Sequence, residues 1–350
     1  MAYLLGVSDD AARASLALYP AGDAAEAAQA AGLSPEEGQR ELERLADLHL
    51  VERQAQEWRC TMPVVDETDM ELIRLWAQPV ADVVAPHLGA LHREALGLSQ
   101  QVQGDRAQST VMAVAMGEAA RRPFAALQEQ LGAAAPERGR HGRFSAAVCT
   151  CEMPEATVLR GGYSAGHSAG DGRDILTYYL HPTGTRRPAV TAFLQQFDVS
   201  AGLGSEVRSL LHEAVHEGIT PEVKARLADV LQIPADRRAA FWRGLAELAA
   251  IDRSGDPARV LVPVLPLSAW REYLGHLDAI GVEITQRVTD AADGLRRRAA
   301  RCSFADCYFA DAVLVFVACD SALVGRAIDA QGWVTVPAEA DLSWGVLIAA

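Results

Sequence analysis

The chain has 350 residues, half of them apolar, which is enough for two or three domains with substantial cores. Asp and Glu total 46 against 32 Lys and Arg, a formal charge of −14, so any nucleic-acid contact must come from a local surface rather than from the overall field. The longest apolar run, AVLVFVAC at 312–319, is far short of the ~20 residues a membrane span needs.

The start, MAYLLGVSDDAARA, lacks a basic stretch followed by a long apolar core, so no signal peptide is expected. Six Cys are too sparse for a disulfide scaffold, and a reducing cytoplasmic setting with free thiols is the expectation. Lys is nearly absent beside Arg, the usage of a GC-rich bacterial genome.

Residues 1–62 read as one unit of helices followed by a hairpin. DDAARASLALY is a short amphipathic helix, and DAAEAAQAAG a second, opened by Asp23 and closed by Gly32. A third begins at Ser34, with Pro35 at its first position and Glu37 completing a capping box. Leu42, Leu45 and Leu48 fall on one face, and Gly38 permits close packing against the helix before it. LVERQ and EWRCTM then read as two short strands across a polar turn. This order is that of a winged helix-turn-helix.

The stretches LLGVSDDAARASLALY and DAAEAAQAAGLSPEEGQRELERLADLHLVER resemble the N-terminal winged helix of TrmB-type bacterial and archaeal transcriptional regulators. The resemblance implies a DNA-binding domain over residues 1–66, with the third helix as the reading element. Its candidate contacts are Ser34, Glu36, Glu37, Gln39, Arg40 and Arg44, joined on the wing by Arg53 and Arg59. Glutamates facing the major groove accept from cytosine N4 but work against affinity near phosphates. Residues 1–62 hold five Arg, no Lys and eleven acids, an unusually acidic balance for such a domain.

Residues 67–131 read as helical throughout, cut by Pro79, Pro86 and Pro123. The resemblance implies that this segment pairs two protomers into a homodimer. GAAAPERGRHGR at 132–143 reads as a linker. Beyond it, residues 144–350 read as an effector-binding α/β domain with a mixed sheet. FSAAVCTCEM, ATVLRGGY and DILTYYL read as strands, with a Gly/Ser-rich loop at 161–174. Helices follow at 188–197, 205–217, 221–231 and 235–251. The C-terminal part alternates, with strands expected in ARVLVPVLP, VEITQRV, DAVLVFVAC and WVTVPA and helices between them. On that reading Asp320 and Ser321 sit at the C-terminal end of a strand and open a helix, the weak candidates for a ligand site or a plain N-cap.

Residues 209–219, SLLHEAVHEGI, contain His212-Glu213-Ala214-Val215-His216, the H-E-x-x-H spacing of zinc peptidases. On a helix both imidazoles reach one zinc ion, with Glu213 as general base and Glu247 as a possible third ligand. The helical wheel speaks against this. Val207, Leu210, Leu211, Ala214 and Val215 form the apolar stripe, and both His lie opposite it beside Ser209, Glu213 and Glu217. A solvated helix face ending at Gly218 accounts for the pattern without metal. Cys149, Cys151, Cys302 and Cys307 lack the C-x2-C spacing of structural zinc sites, and core packing accounts for them.

The sequence thus points to a cytoplasmic transcriptional regulator that binds DNA through its winged helix and senses a small-molecule effector or partner through residues 144–350, with no cofactor. The alternatives are a zinc-dependent H-E-x-x-H hydrolase with an accessory winged helix, and a non-enzymatic protein-binding scaffold with a degenerate one.

Overall fold

The computed structural model describes residues 15, 18, 22–55, 57–102, 105–133, 146–149, 156, 162–168, 174–180, 213–214, 218–230, 233–247, 251–252, 257, 259–260, 263–285, 287–300, 305–334 and 344–349. The described chain is mostly helical, with small sheets, as an α+β protein is. It divides into two compact units, each assembled from three segments. One holds Met1–Pro86, Arg121–Glu155 and Ala279–Val324; the other holds His87–Ala120, Ala156–Asp278 and Gly325–Ala350.

The first unit opens with α1 (Ala24–Ala31) and α2 (Pro35–Asp47). Both start on reciprocal capping boxes, the one at Ser34 as the sequence predicts and the one at Asp23, with Glu26, in addition. Asp23 accepts from the backbone N–H of Ala25 and Glu26, each at 2.8 Å. Gly32 closes α1 at φ 71°, a left-handed conformation that glycine adopts without strain. Leu42 and Leu45 of α2 are buried with Leu18, Ala27, Ala31, Leu50 and Trp58 in one core. A Cβ at Gly38 would lie 2.3 Å from the Ala28 Cβ, so the two helices approach as closely as the missing side chain allows.

The hairpin follows as β1 (Val51–Gln54) and β2 (Glu57–Cys60), antiparallel with Val51 opposite Cys60. The chain ahead of α1 returns to it. Gly22 N–H donates to Trp58 O at 3.0 Å, and Trp58 N–H donates to Gly22 O at 2.9 Å. β3 (Val64–Val65) then pairs in parallel with β4 (Val148–Cys149).

After β3, α3 (Glu67–Val84) starts on Asp66, which accepts from Asp69 N–H at 2.8 Å. Pro79 does not cut this helix as expected but lies inside it. It is exposed, so water can satisfy the Leu75 carbonyl that its missing N–H leaves free. Pro86 and Pro123 do coincide with breaks, in the 3-10 turns Ala85–His87 and Arg122–Phe124, the second followed by the short α6 (Leu127–Gln130). In this unit α3 packs against α10 (Thr289–Ala299). A Cβ at Gly294 would meet the Trp76 ring at 2.7 Å, and Arg298 grips Asp69 with Nε at 2.9 Å and a terminal nitrogen at 3.2 Å.

In the second unit α4 (Leu88–Ser99) and α5 (Asp105–Arg121) continue the expected helical stretch. α5 is buried on every side from Thr110 to Ala120. The sheet of this unit has the order β5 (Gly162–Ser168), β6 (Asp174–Leu180), β10 (Trp344–Ala349), β9 (Val264–Pro266). Its first two pairings are antiparallel and its last is parallel, a mixed sheet. Residues 162–168, expected as loop, are therefore strand: their backbone pairs residue for residue with the apolar β6. The helices α7 (Pro221–Val230) and α8 (Ala235–Glu247) stand where the sequence places them, except that α8 ends at Glu247 and Ile251 belongs to β7 (Ile251–Asp252), antiparallel to β8 (Arg259–Val260). Residues 188–197 lie outside the described residues.

Two expected strands are helical. VEITQRV begins inside α9 (Leu267–Thr285), and DAVLVFVAC lies inside α11 (Ala305–Ala330). Val313, Val315 and Phe316 are all nearly or fully buried, so apolar residues recur on every side and the pattern carries no helical period. ARVLVPVLP does hold strand, at Arg259–Val260 and Val264–Pro266, and WVTVPA lies largely outside the described residues, but the two strands expected between them are helical, so the alternation is not formed there.

Candidate nucleic-acid interface

The exposed side of α2 is built from short-range bonds. Ser34 Oγ and N–H both donate to one carboxylate oxygen of Glu37, at 2.7 and 3.0 Å. The Ser34 hydroxyl bond, then the Ser34 backbone bond, hold the Glu37 pKa below the usual glutamate value. One turn on, Gln39 Nε2 donates to Glu43 Oε1 at 2.8 Å. Arg44 is gripped by Glu41 with Nε at 2.9 Å and a terminal nitrogen at 2.6 Å. That bond raises the Arg44 pKa further. Glu36 and Arg40 remain: both are exposed, and Arg40 Nε donates only to the Glu36 carbonyl, at 3.3 Å.

On the hairpin, Arg53 and Trp58 are cross-strand partners, and the guanidinium lies over the indole at 5.9 Å. Arg59 is half-buried, and its Nε has no hydrogen-bond partner. The hairpin thus offers one exposed cation set over an indole and one half-buried cation.

All eight expected contact residues therefore fall on one module, but they are not equivalent. Ser34 and Glu37 form the helix cap, while Gln39 and Arg44 are tied to neighbours on the same helix. Sequence reading missed these neighbours, Glu41 and Glu43, although the i,i+3 and i,i+4 spacings that bring them in were visible. It also missed Trp58 as the platform for Arg53; the two-strand register was needed to place it. α2 carries five acids and two Arg, and one of those Arg is internally neutralised.

The other candidates come apart. Asp320 and Ser321 do not open a helix at a strand end; they lie in the middle of α11, both buried. Both Asp320 carboxyl oxygens lack a hydrogen-bond partner, and burial alone pushes its pKa well above the usual aspartate value. Asp320 thus has neither a helix terminus to cap nor an open crevice at a strand edge.

His212 and His216 lie outside the described residues. Of the H-E-x-x-H segment, Glu213 and Ala214 are helical, and Ala214 is buried, as the apolar stripe requires. Glu213 makes an ion pair with Arg226 of α7 at 3.5 Å. Gly218 takes a positive φ of 90°. Glu247 is the last residue of α8. Among the described residues no three His, Cys, Asp or Glu side chains converge to hold a metal ion. Nor is any described helix long and apolar enough to cross a membrane.

Tyr273 donates to Ala115 O at 2.8 Å, and its pKa is pushed well up by burial first and by the Glu118 and Glu94 charges next. Comparison of the chain with protein-family models, with curated proteins and with solved structures finds no match.

Proposed function

We propose that residues 22–65 are a winged helix-turn-helix and that the chain is a DNA-binding transcriptional regulator. The observation that carries this reading is the pairing of Gly22 with Trp58. It joins the segment ahead of α1 to the second hairpin strand, so α1, α2 and the wing form one closed module. α1 and α2 meet through a three-residue, glycine-led turn, Gly32-Leu33-Ser34, the connection a helix-turn-helix uses. In this reading α2 enters the major groove, the hairpin lies against the backbone, and a homodimer presents two modules to a two-fold symmetric site. Residues 144–350 sense an effector or partner that biases the pose of the modules.

A second reading, a protein-binding scaffold, is favoured by the acidity of α2 and by the Glu41–Arg44 pair. One experiment separates the two. Full-length protein is titrated into a labelled random-sequence duplex, and anisotropy is followed between about 50 and 200 mM salt. Binding that weakens with salt supports the regulator. No binding at the low end overturns it in favour of the scaffold.

A further inference from the structure

Of the six residues of the α2 region expected to read a groove, four are already engaged. Glu37 is held by Ser34, Gln39 by Glu43, and Arg44 by Glu41, while Ser34 is itself the cap. Glu36 and Arg40 are left. They are exposed and four residues apart, on one face of the helix. Arg40 is steadied through Nε on the Glu36 carbonyl, which leaves its two terminal nitrogens for an outside acceptor pair.

Resting on the DNA-binding reading above, we infer that Glu36 and Arg40 are the base-reading pair, and that each half-site carries a guanine for Arg40 and a nearby cytosine for Glu36. A guanidinium fork matches the O6 and N7 acceptors of guanine. A carboxylate is acceptor only, so it pairs with cytosine N4. Guanine and thymine offer only acceptors to a carboxylate, and adenine sets its N7 acceptor beside its single amino group, so cytosine is the best match for Glu36. Four residues of helix rise about 6 Å, and a base step rises about 3.4 Å, so the two contacts fall within about two steps of each other.

The test is selection of binding sites from a random duplex pool by the full chain, followed by anisotropy with the enriched duplex and its single-base variants. The enriched site is expected to hold the two G·C pairs. Changing the guanine to adenine is expected to weaken binding about tenfold or more. Arg40→Ala removes the donors altogether, so it is expected to erase the guanine preference at that position and to leave the cytosine preference in place. Glu36→Gln is expected to move the second preference from cytosine to adenine, which glutamine reads through N6 and N7. Arg237→Ala, an exposed charge loss on α8, is expected to leave both preferences intact. Circular dichroism melts report that each variant is folded. Binding without base preference, or a preference untouched by Arg40→Ala and Glu36→Gln, overturns the inference and leaves DNA binding standing. Failure to bind any duplex overturns the DNA-binding reading together with it.

Discussion

Gly38 sits over Ala28 so closely that a Cβ at position 38 would lie 2.3 Å from the Ala28 Cβ and 3.0 Å from its Cα. No rotamer relieves that contact, because both atoms are fixed to the backbone. Gly38→Ala is therefore expected to destabilise the module by about 1–3 kcal/mol, despite the better helix propensity of alanine. Urea denaturation measures the loss. Ala28→Gly in the same chain is expected to recover part of it, and an unchanged midpoint in Gly38→Ala would refute the close approach.

Ser34 and Glu37 cap α2 together, and Ser34→Ala is expected to cost about 1 kcal/mol. The pH dependence has a definite sign. The Glu37 pKa is lowered in the folded chain, so its contribution is present above the ordinary glutamate pKa and is lost as pH falls through the lowered one. In Ser34→Ala the Glu37 pKa is expected to move back towards the ordinary value. Carboxyl chemical shifts followed through an acid titration would show the move, and a titration identical to wild type would contradict the cap.

Asp320 has the opposite sign. Its folded pKa is raised by burial, so the folded state holds the proton more tightly than the unfolded one. Stability is then greatest below the ordinary aspartate pKa and declines as pH rises towards the raised value. Asp320→Leu, which keeps the branched shape without the polar oxygens, is expected to stabilise the chain by about 1–3 kcal/mol at neutral pH. The gain should shrink at pH ~4. Thermal melts of the two proteins across pH measure it, and a gain that does not vary with pH would count against the buried orphan carboxyl.

The salt response of DNA binding should be shallow. With Arg44 tied to Glu41 and Arg40 assigned to bases, Arg53 and Arg59 are the cations left for phosphates on the described module. The slope of log affinity against log salt is expected to be no steeper than about −2 for one module and about −4 for a pair. Arg53→Ala is expected to flatten it by about one unit. A much steeper slope would mean that another surface of the chain meets the backbone.

What the sequence made legible was local. Asp23, Gly32, Ser34, Pro35 and Glu37 signal their helix ends within four residues, and each does what its chemistry predicts. Gly38 was readable for the same reason, as a small residue on a buried helix face. The Gly22–Trp58 pairing joins residues far apart in the chain, and no local pattern announces it. Asp320 was misplaced because the run before it is apolar on every side, so helix and strand periods could not be separated. A false strand end then made a mid-helix carboxyl look like a cap. The acidity of α2 was visible from the start, but which charges cancel within the helix required side-chain geometry.

The pairing at Gly22 also governs what the small sheet exposes. β2 is occupied on both sides, by β1 and by Gly22, so its central donors and acceptors at Trp58 are covered. Among the described residues β1 is paired on one side only, and it presents Glu52, Arg53 and Gln54 there. An edge carrying charge of both signs and an amide is a poor template for another strand. The module can keep a hairpin projecting into solvent without recruiting its neighbours into a growing sheet.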